Sequence, residues 1–142
     1  AVCAIAQETS DPPRKPSKEA FGIFSRIRQI DEFLRQEPAL RECVFEVHPE
    51  VSFRLMNFKN NDGPLPTKKS EQGLRLRREL LMDHGFGASF LGINLPRGVA
   101  LDDFYDACAC AWTAKRILVG IARIFPCNPP SDIEGLEQAI RA

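Results

Sequence analysis

Leu101–Phe125 reads LDDFYDACACAWTAKRILVGIARIF, and this stretch decides the fold. Asp102 and Asp103 open it. Carboxylates there can bond free backbone N–H groups and suit the positive end of the helix dipole. About six turns of Ala, Cys, Ile, Leu and Val follow almost without charge. Such a helix is expected to be buried on most sides and to run as far as Pro126, which cannot continue it. Asp106 stands three residues after Asp103, so both carboxylates are expected on one face of the opening turns. Two adjacent carboxylates repel each other and want a cation. The same residues also suit a plain cap followed by a solvated Asp.

Working back from this helix, His84 to Ala100 (HGFGASFLGINLPRGVA) is Gly-rich and irregular, with neither a G-x-G-x-x-G nor a P-loop pattern. A helix is expected from Lys68 to about Asp83. Leu74, Leu80 and Leu81 form its apolar face, and Arg75, Arg77 and Arg78 crowd the other. Lys68 and Lys69 at its start could hold phosphate, since free N–H groups and the dipole point the same way; a solvated charged face is the competing reading. Asn57 to Thr67 is a polar loop. Pro49 to Met56 makes a short helix with Pro in its first turn.

Glu42 to His48 (ECVFEVH) carries β-branched and aromatic residues and reads as a strand. Its alternate positions are not uniformly polar, so an interior strand with both faces covered is expected. On such a strand Glu46 is costly unless paired or metal-bound; a strand-end Glu facing water is the alternative. Ser17 caps a helix to about Gln36, with Phe21, Phe24, Ile27, Ile30 and Phe33 on one stripe that should pack on something. Residues 1–16 end in DPPRKP and read as a linker or N-terminal extension. After the long helix CNPPSD is a turn, and residues 134–142 suit either a short strand or a helix.

The whole chain is 142 residues, which suits one domain. Nineteen basic and nineteen acidic residues cancel, so net charge points to neither nucleic acid nor membrane, and any such binding must come from local patches. No run is apolar and long enough to span a bilayer, because Lys115, Arg116 and Arg123 interrupt the best candidate. The five cysteines form no C-x-x-C pair. An odd, unpaired set fits a reducing cytoplasm and small apolar core residues. His48 and His84 are isolated. The constellation that carries chemistry is acidic: Glu46, Asp103 and Asp106, with Glu50 as a spare.

Four strings, taken together, add a resemblance. SKEAFGIFSRIRQID at 17–31, FEVHPEVSFRLMN at 45–57, KKSEQGLRLRRELL at 68–81 and DDFYDACACAWTAKR at 102–116 resemble a domain-of-unknown-function family described as predicted RNase H-like nucleases. Its hallmark strings look like E-V-H-P-E-x-S-F, K-K-x-x-x-G and D-D-x-x-D-A. Holliday-junction resolvases show a similar D-x-x-D at the start of their last helix. The resemblance covers roughly residues 17–140.

It implies an α/β fold of RNase H type, with a few-stranded mixed sheet flanked by helices. It also implies a Mg²⁺- or Mn²⁺-dependent nuclease acting on DNA or RNA. Residue by residue, Glu46 matches the strand acid, and Asp103 and Asp106 match the helix pair; these three would be catalytic and metal-binding. Lys68, Lys69, Arg75 and Arg78 would contact nucleic acid.

The family opens with a Gly-rich, Asp-bearing first strand. Residues 1–16 offer only Asp11, so 17–142 resembles the C-terminal part of a single domain with its N-terminal strands missing. A completing N-terminal segment or a second copy is the expected complement, since an unpaired strand edge favours association. The alternative function is a non-catalytic nucleic-acid or protein-binding module on the same fold. A phosphotransferase would want the Gly-rich phosphate loop that this sequence does not contain.

Overall fold

The computed structural model describes residues 2–9, 12–58 and 63–142. Asp11 and the tip of the 57–67 loop lie outside the described residues. The chain divides into two compact units, Ala1–Val44 and Phe45–Ala142. The described residues form six α-helices and a three-stranded mixed sheet, an α/β composition. No helix among them is long and apolar enough to cross a membrane.

The first unit is helical. α1 (Val2–Thr9) occupies part of the stretch read as a linker. α2 (Lys18–Gln36) starts where the sequence places it, with the Ser17 hydroxyl accepting from the Ala20 N–H at 3.0 Å. Asp31 and Arg35, one turn apart, form a two-pronged ion pair at 2.8 Å on both arms. Pro38 ends the helix and opens a 3₁₀ turn, Pro38–Glu42. The Phe21, Phe24, Ile27, Ile30 and Phe33 side chains keep 41–55% of their surface exposed, so the stripe expected to pack is largely uncovered.

The second unit is built on α6 (Leu101–Leu118), against which α3 (Pro49–Met56) and α4 (Glu71–Asp83) pack. Phe53 and Met56 of α3, Leu80 and Leu81 of α4, and Tyr105, Cys108 and Ala109 of α6 form its core. Leu91 of the short α5 (Ala88–Leu91) closes one side. Where α3 meets α6 the Ser52 and Thr113 hydroxyls, both fully buried, bond each other at 2.8 Å. Each thereby satisfies a group that would be costly to bury alone.

Two expectations need correction. First, α6 stops at Leu118, not Phe125. Gly120 adopts φ 73°, and its N–H reaches Ile117 O at 3.0 Å while the Ile121 N–H reaches Arg116 O at 2.9 Å. This is the Schellman arrangement, which uses a left-handed residue to satisfy the last carbonyls and turn the chain. The released segment becomes a strand, β2 (Ile124–Phe125).

Second, the strand at 42–48 is neither long nor interior. Only Glu46–Val47 (β1) pairs, and it lies at the edge of the order β1-β3-β2. The 3₁₀ turn before it and Pro49 at the first turn of α3 leave no room for more extended chain. β3 (Ile140–Arg141) settles the undecided end as strand, parallel to β1 and antiparallel to β2. The Arg141 guanidinium lies 4.2 Å from the Phe45 ring centre, across the β1–β3 seam.

Candidate functional site

The helix start at Leu101 and the loop before α4 meet around one cation. The N-cap of α6 is Ala100, which offers no side-chain acceptor; Asp102 and Asp103 sit in the first turn, where they act through the dipole. Asp102 and Asp106 are one turn apart on the same face. Lys68 Nζ lies 2.6 Å from Asp106 Oδ2 and 3.8 Å from Asp102 Oδ2. The cation that paired carboxylates require is thus supplied from within the chain. Asp103, expected to face Asp106, is exposed; the i,i+4 spacing prevails over i,i+3 here.

Burial sharpens the arrangement. The Asp102 and Asp106 side chains are only 14% and 20% exposed. Asp106 Oδ1 is buried without a hydrogen-bond partner. A carboxylate with one oxygen held by lysine and the other unsatisfied retains unused acceptor capacity. The hydrogen bond from Lys68 to Asp106 raises the lysine pKa above its ordinary 10.5. Desolvation opposes this, and charge attraction to Asp106, Asp102 and Asp103 adds to it.

The loop carrying Lys68 is held tightly. Ser70 caps α4, its hydroxyl accepting from the Gly73 N–H at 3.0 Å and donating to Thr67 O at 2.7 Å. Gly73 is required by contact: a Cβ there would stand 2.0 Å from Thr67 O. The K-K-x-x-x-G spacing therefore has a physical reason, because the loop backbone lies directly on the first turn of α4.

Arg77, expected on a solvated face, is instead 1% exposed. Its Nη2 donates to both Glu50 oxygens, at 2.8 and 2.7 Å, and its Nη1 to Pro66 O at 3.0 Å and Gly73 O at 3.1 Å. Its guanidinium lies 5.3 Å from the Phe53 ring centre. Glu50 is thus engaged by Arg77 and holds α3 to α4.

Glu46 is exposed on the edge strand, which fits the water-facing reading. Lys69 is exposed. Arg75 pairs with Glu79 at 3.7 Å, with both side chains mostly exposed. Arg78 is directed to Met82 Sδ at 3.2 Å and Ala88 O at 3.4 Å. Lys68, Lys69, Arg75 and Arg78 therefore have different local roles, with Lys68 committed to the acids. Among the described residues no group of three or more His, Cys, Asp or Glu is arranged to hold a metal ion. Cys108 and Cys110 are free; burial pushes both thiols up, with Asp106 adding to the effect at Cys110, which keeps them unreactive.

Sequence reasoning found Asp106 and Lys68 separately but not their contact, and it read Asp102 only as a helix opener and Arg77 only as part of a charged face. The D-x-x-x-D spacing could have signalled Asp102. Nothing local distinguishes Arg77 from Arg75 and Arg78, because its burial depends on Glu50, 27 residues away.

The model of a family described as Protein of unknown function (DUF429) matches residues 1–131. Neither the curated proteins nor the solved structures contain a match.

Proposed function

We propose, from the premise that this chain belongs to the DUF429 family, that it is the acid-bearing part of an RNase H-like, divalent-metal-dependent nuclease domain. The observation that carries this reading is the half-buried Asp106, with Oδ2 on Lys68 and Oδ1 unsatisfied, beside Asp102 at the head of α6.

That donor set suits Mg²⁺ or Mn²⁺, which take hard carboxylate oxygens. Asp106 and Asp102 would hold the ion, with the exposed Asp103 and Glu46 as further carboxylates. The bound metal would activate water and stabilise the leaving oxygen of a phosphodiester. Lys68 has two uses in this reading. It sits on the Asp106 carboxylate until a stronger cation arrives, and once displaced it is a mobile cation beside the phosphate to be cleaved. Lys69 and Arg75, both exposed, would add contacts to the nucleic-acid backbone.

The carboxylates present come from two elements. In-line displacement with two metals requires both the attacking and the leaving oxygen to be stabilised. We therefore expect these 142 residues alone to cleave weakly or not at all, and an Asp-bearing strand added N-terminally, or supplied by a second copy, to complete the site. A second reading, nucleic-acid binding without catalysis, is favoured by Lys68, which already occupies the place of a cation beside the pair and offsets one of its two charges.

The test is an assay of the chain and of an N-terminally extended form on single- and double-stranded DNA and RNA, with and without Mg²⁺ or Mn²⁺. The nuclease reading expects metal-dependent cleavage by the extended form and its loss in Asp106→Asn. Cleavage that survives Asp106→Asn refutes the site, and absence of cleavage by every form, with binding retained, selects the second reading.

A further inference from the structure

The other end of α6 borders a cleft of about 620 Å³ that the acidic site does not use, formed by the ends of α3 and α4, the last turns of α6 and the segment after Gly120. Its size is that of a small-molecule site. It lies roughly 14 Å along the helix from Asp106, at 1.5 Å per residue.

Its lining is unusual in charge. Lys115, Arg116 and Arg123 all border it, against one carboxylate, Asp83. None of the three cations has an ion-pair partner among the described residues. Arg116 Nε is buried without a hydrogen-bond partner, although another nitrogen of the same guanidinium donates to Ile121 O at 2.9 Å. Burial, and then the nearby Arg123, lower the Arg116 pKa. Cations gathered with so little opposing charge repel one another, and an anion between them relieves that.

The aromatic rings narrow the choice of anion. The Arg116 guanidinium lies over the Trp112 ring, 4.5 Å from its centre, and that of Arg123 over the Phe58 ring at 5.5 Å. A guanidinium over a ring can still present in-plane N–H donors to phosphate; Arg123 can offer that edge, whereas Arg116 has one terminal nitrogen on Ile121 O and its Nε buried, and contributes chiefly charge. Phe58 remains 61% exposed, so a flat ring can still lie against it.

Two acceptors complete the lining. His84 Nδ1 is 2.8 Å from Leu80 O. A carbonyl only accepts, so that nitrogen carries a proton, and in the neutral ring Nε2 is an acceptor. Asp83 is the other. Acceptors beside cations and rings match a ligand that joins an anion to a flat ring bearing N–H donors.

We propose that this cleft binds a nucleoside phosphate, with the phosphate on Lys115, Arg116 and Arg123 and the base against Phe58 and Trp112. The site stands independently of the nuclease reading.

Trp112 is the single tryptophan of the chain, so its fluorescence reports directly. Titration with AMP should give a saturable change with matching heat in calorimetry, and inorganic phosphate should bind about tenfold or more weakly, a difference of one 1.4 kcal/mol step. Lys115→Gln and Arg123→Gln should each weaken AMP about fivefold or more through loss of a charge-assisted contact. Lys115 is exposed and unpaired, so its variant keeps the fold; unchanged circular dichroism checks this. Phe58→Ala should weaken AMP and leave phosphate binding as it was, and Asp106→Asn should leave AMP binding unchanged. No saturable response to AMP at millimolar concentration, phosphate binding as tightly as AMP, or indifference to both Lys115→Gln and Arg123→Gln would each overturn the proposal.

Discussion

Replacing Glu50 by Gln probes how the second unit is held together. The wild-type carboxylate meets a guanidinium that is 2% exposed at the side chain, through bonds of 2.8 and 2.7 Å. The substitution keeps shape and one acceptor but leaves the buried Arg77 charge without a counter-charge. Breaking a fully buried pair from one side costs about 3–5 kcal/mol. Glu50 itself is 39% exposed, so solvent screens part of the loss, and we expect about 2 kcal/mol, nearer the worth of one charged hydrogen bond. For a cooperative unit of about 100 residues, that lowers Tm by roughly 8–16 °C. Arg77→Met should cost more, about 3–5 kcal/mol, because Pro66 O and Gly73 O lose their donor too. Once Arg77 is gone, Glu50→Gln should add almost nothing, giving a coupling of about 2 kcal/mol in a double-mutant cycle. Urea unfolding of the four proteins measures this. A Glu50→Gln cost below about 0.5 kcal/mol, the level of an ordinary surface change, with additive doubles, would refute the view that this pair fixes α3 against α4.

Three further outcomes follow from particular contacts. Gly73→Ala forces a Cβ to within 2.0 Å of Thr67 O; since that atom is backbone, we expect a loss of about 3 kcal/mol in chemical denaturation and faster amide exchange in the Lys68 loop. Thr113→Val removes the buried partner of Ser52 and should cost about 1–3 kcal/mol, whereas pairing it with Ser52→Ala should recover part of that loss; a double variant less stable than Thr113→Val would count against the bond. The Lys68 pKa is raised by Asp106, so its contribution to stability is fully present below the unfolded value near 10.4 and is lost as pH rises through the higher folded value. Lys68→Met should therefore lower stability at neutral pH and flatten the alkaline fall above about pH 10, a comparison readable from Tm against pH, and unchanged alkaline behaviour would show that the contact is not made in solution.

How much of this was legible in the chain differs by element. The starts of α2 and α6 were readable because local chemistry sets them: Ser17 caps, and an acidic first turn favours the dipole; that of α4 was expected at Lys68, whereas Ser70 caps the helix and Glu71 begins it. Pro49 likewise marks the first turn of α3. The end of α6 was also written locally, in Gly120, but an apolar run beyond it masked a signal that depends on φ rather than hydropathy. Of the short sheet only the place of β1 was readable, inside the strand expected at 42–48. β3 pairs with β2 beyond a loop and with β1 beyond four helices, and two-residue strands carry too little periodicity to reveal their pairing.

The same division runs through the candidate site. Sequence by itself determined the kinds of group available: paired aspartates at one helix start, two lysines just ahead of another, and a glycine at fixed distance from them. Which carboxylate faces which cation was decided only by the packing of α4 on α6, which puts Lys68 on Asp106, 38 residues away. Packing also buried Arg77 while leaving its neighbours Arg75 and Arg78 outside the core. The physical reason is that charge on a side chain is a local property, whereas its partner and its dielectric surroundings belong to the assembled fold, where Coulomb attraction and desolvation compete over distances that the linear order does not encode.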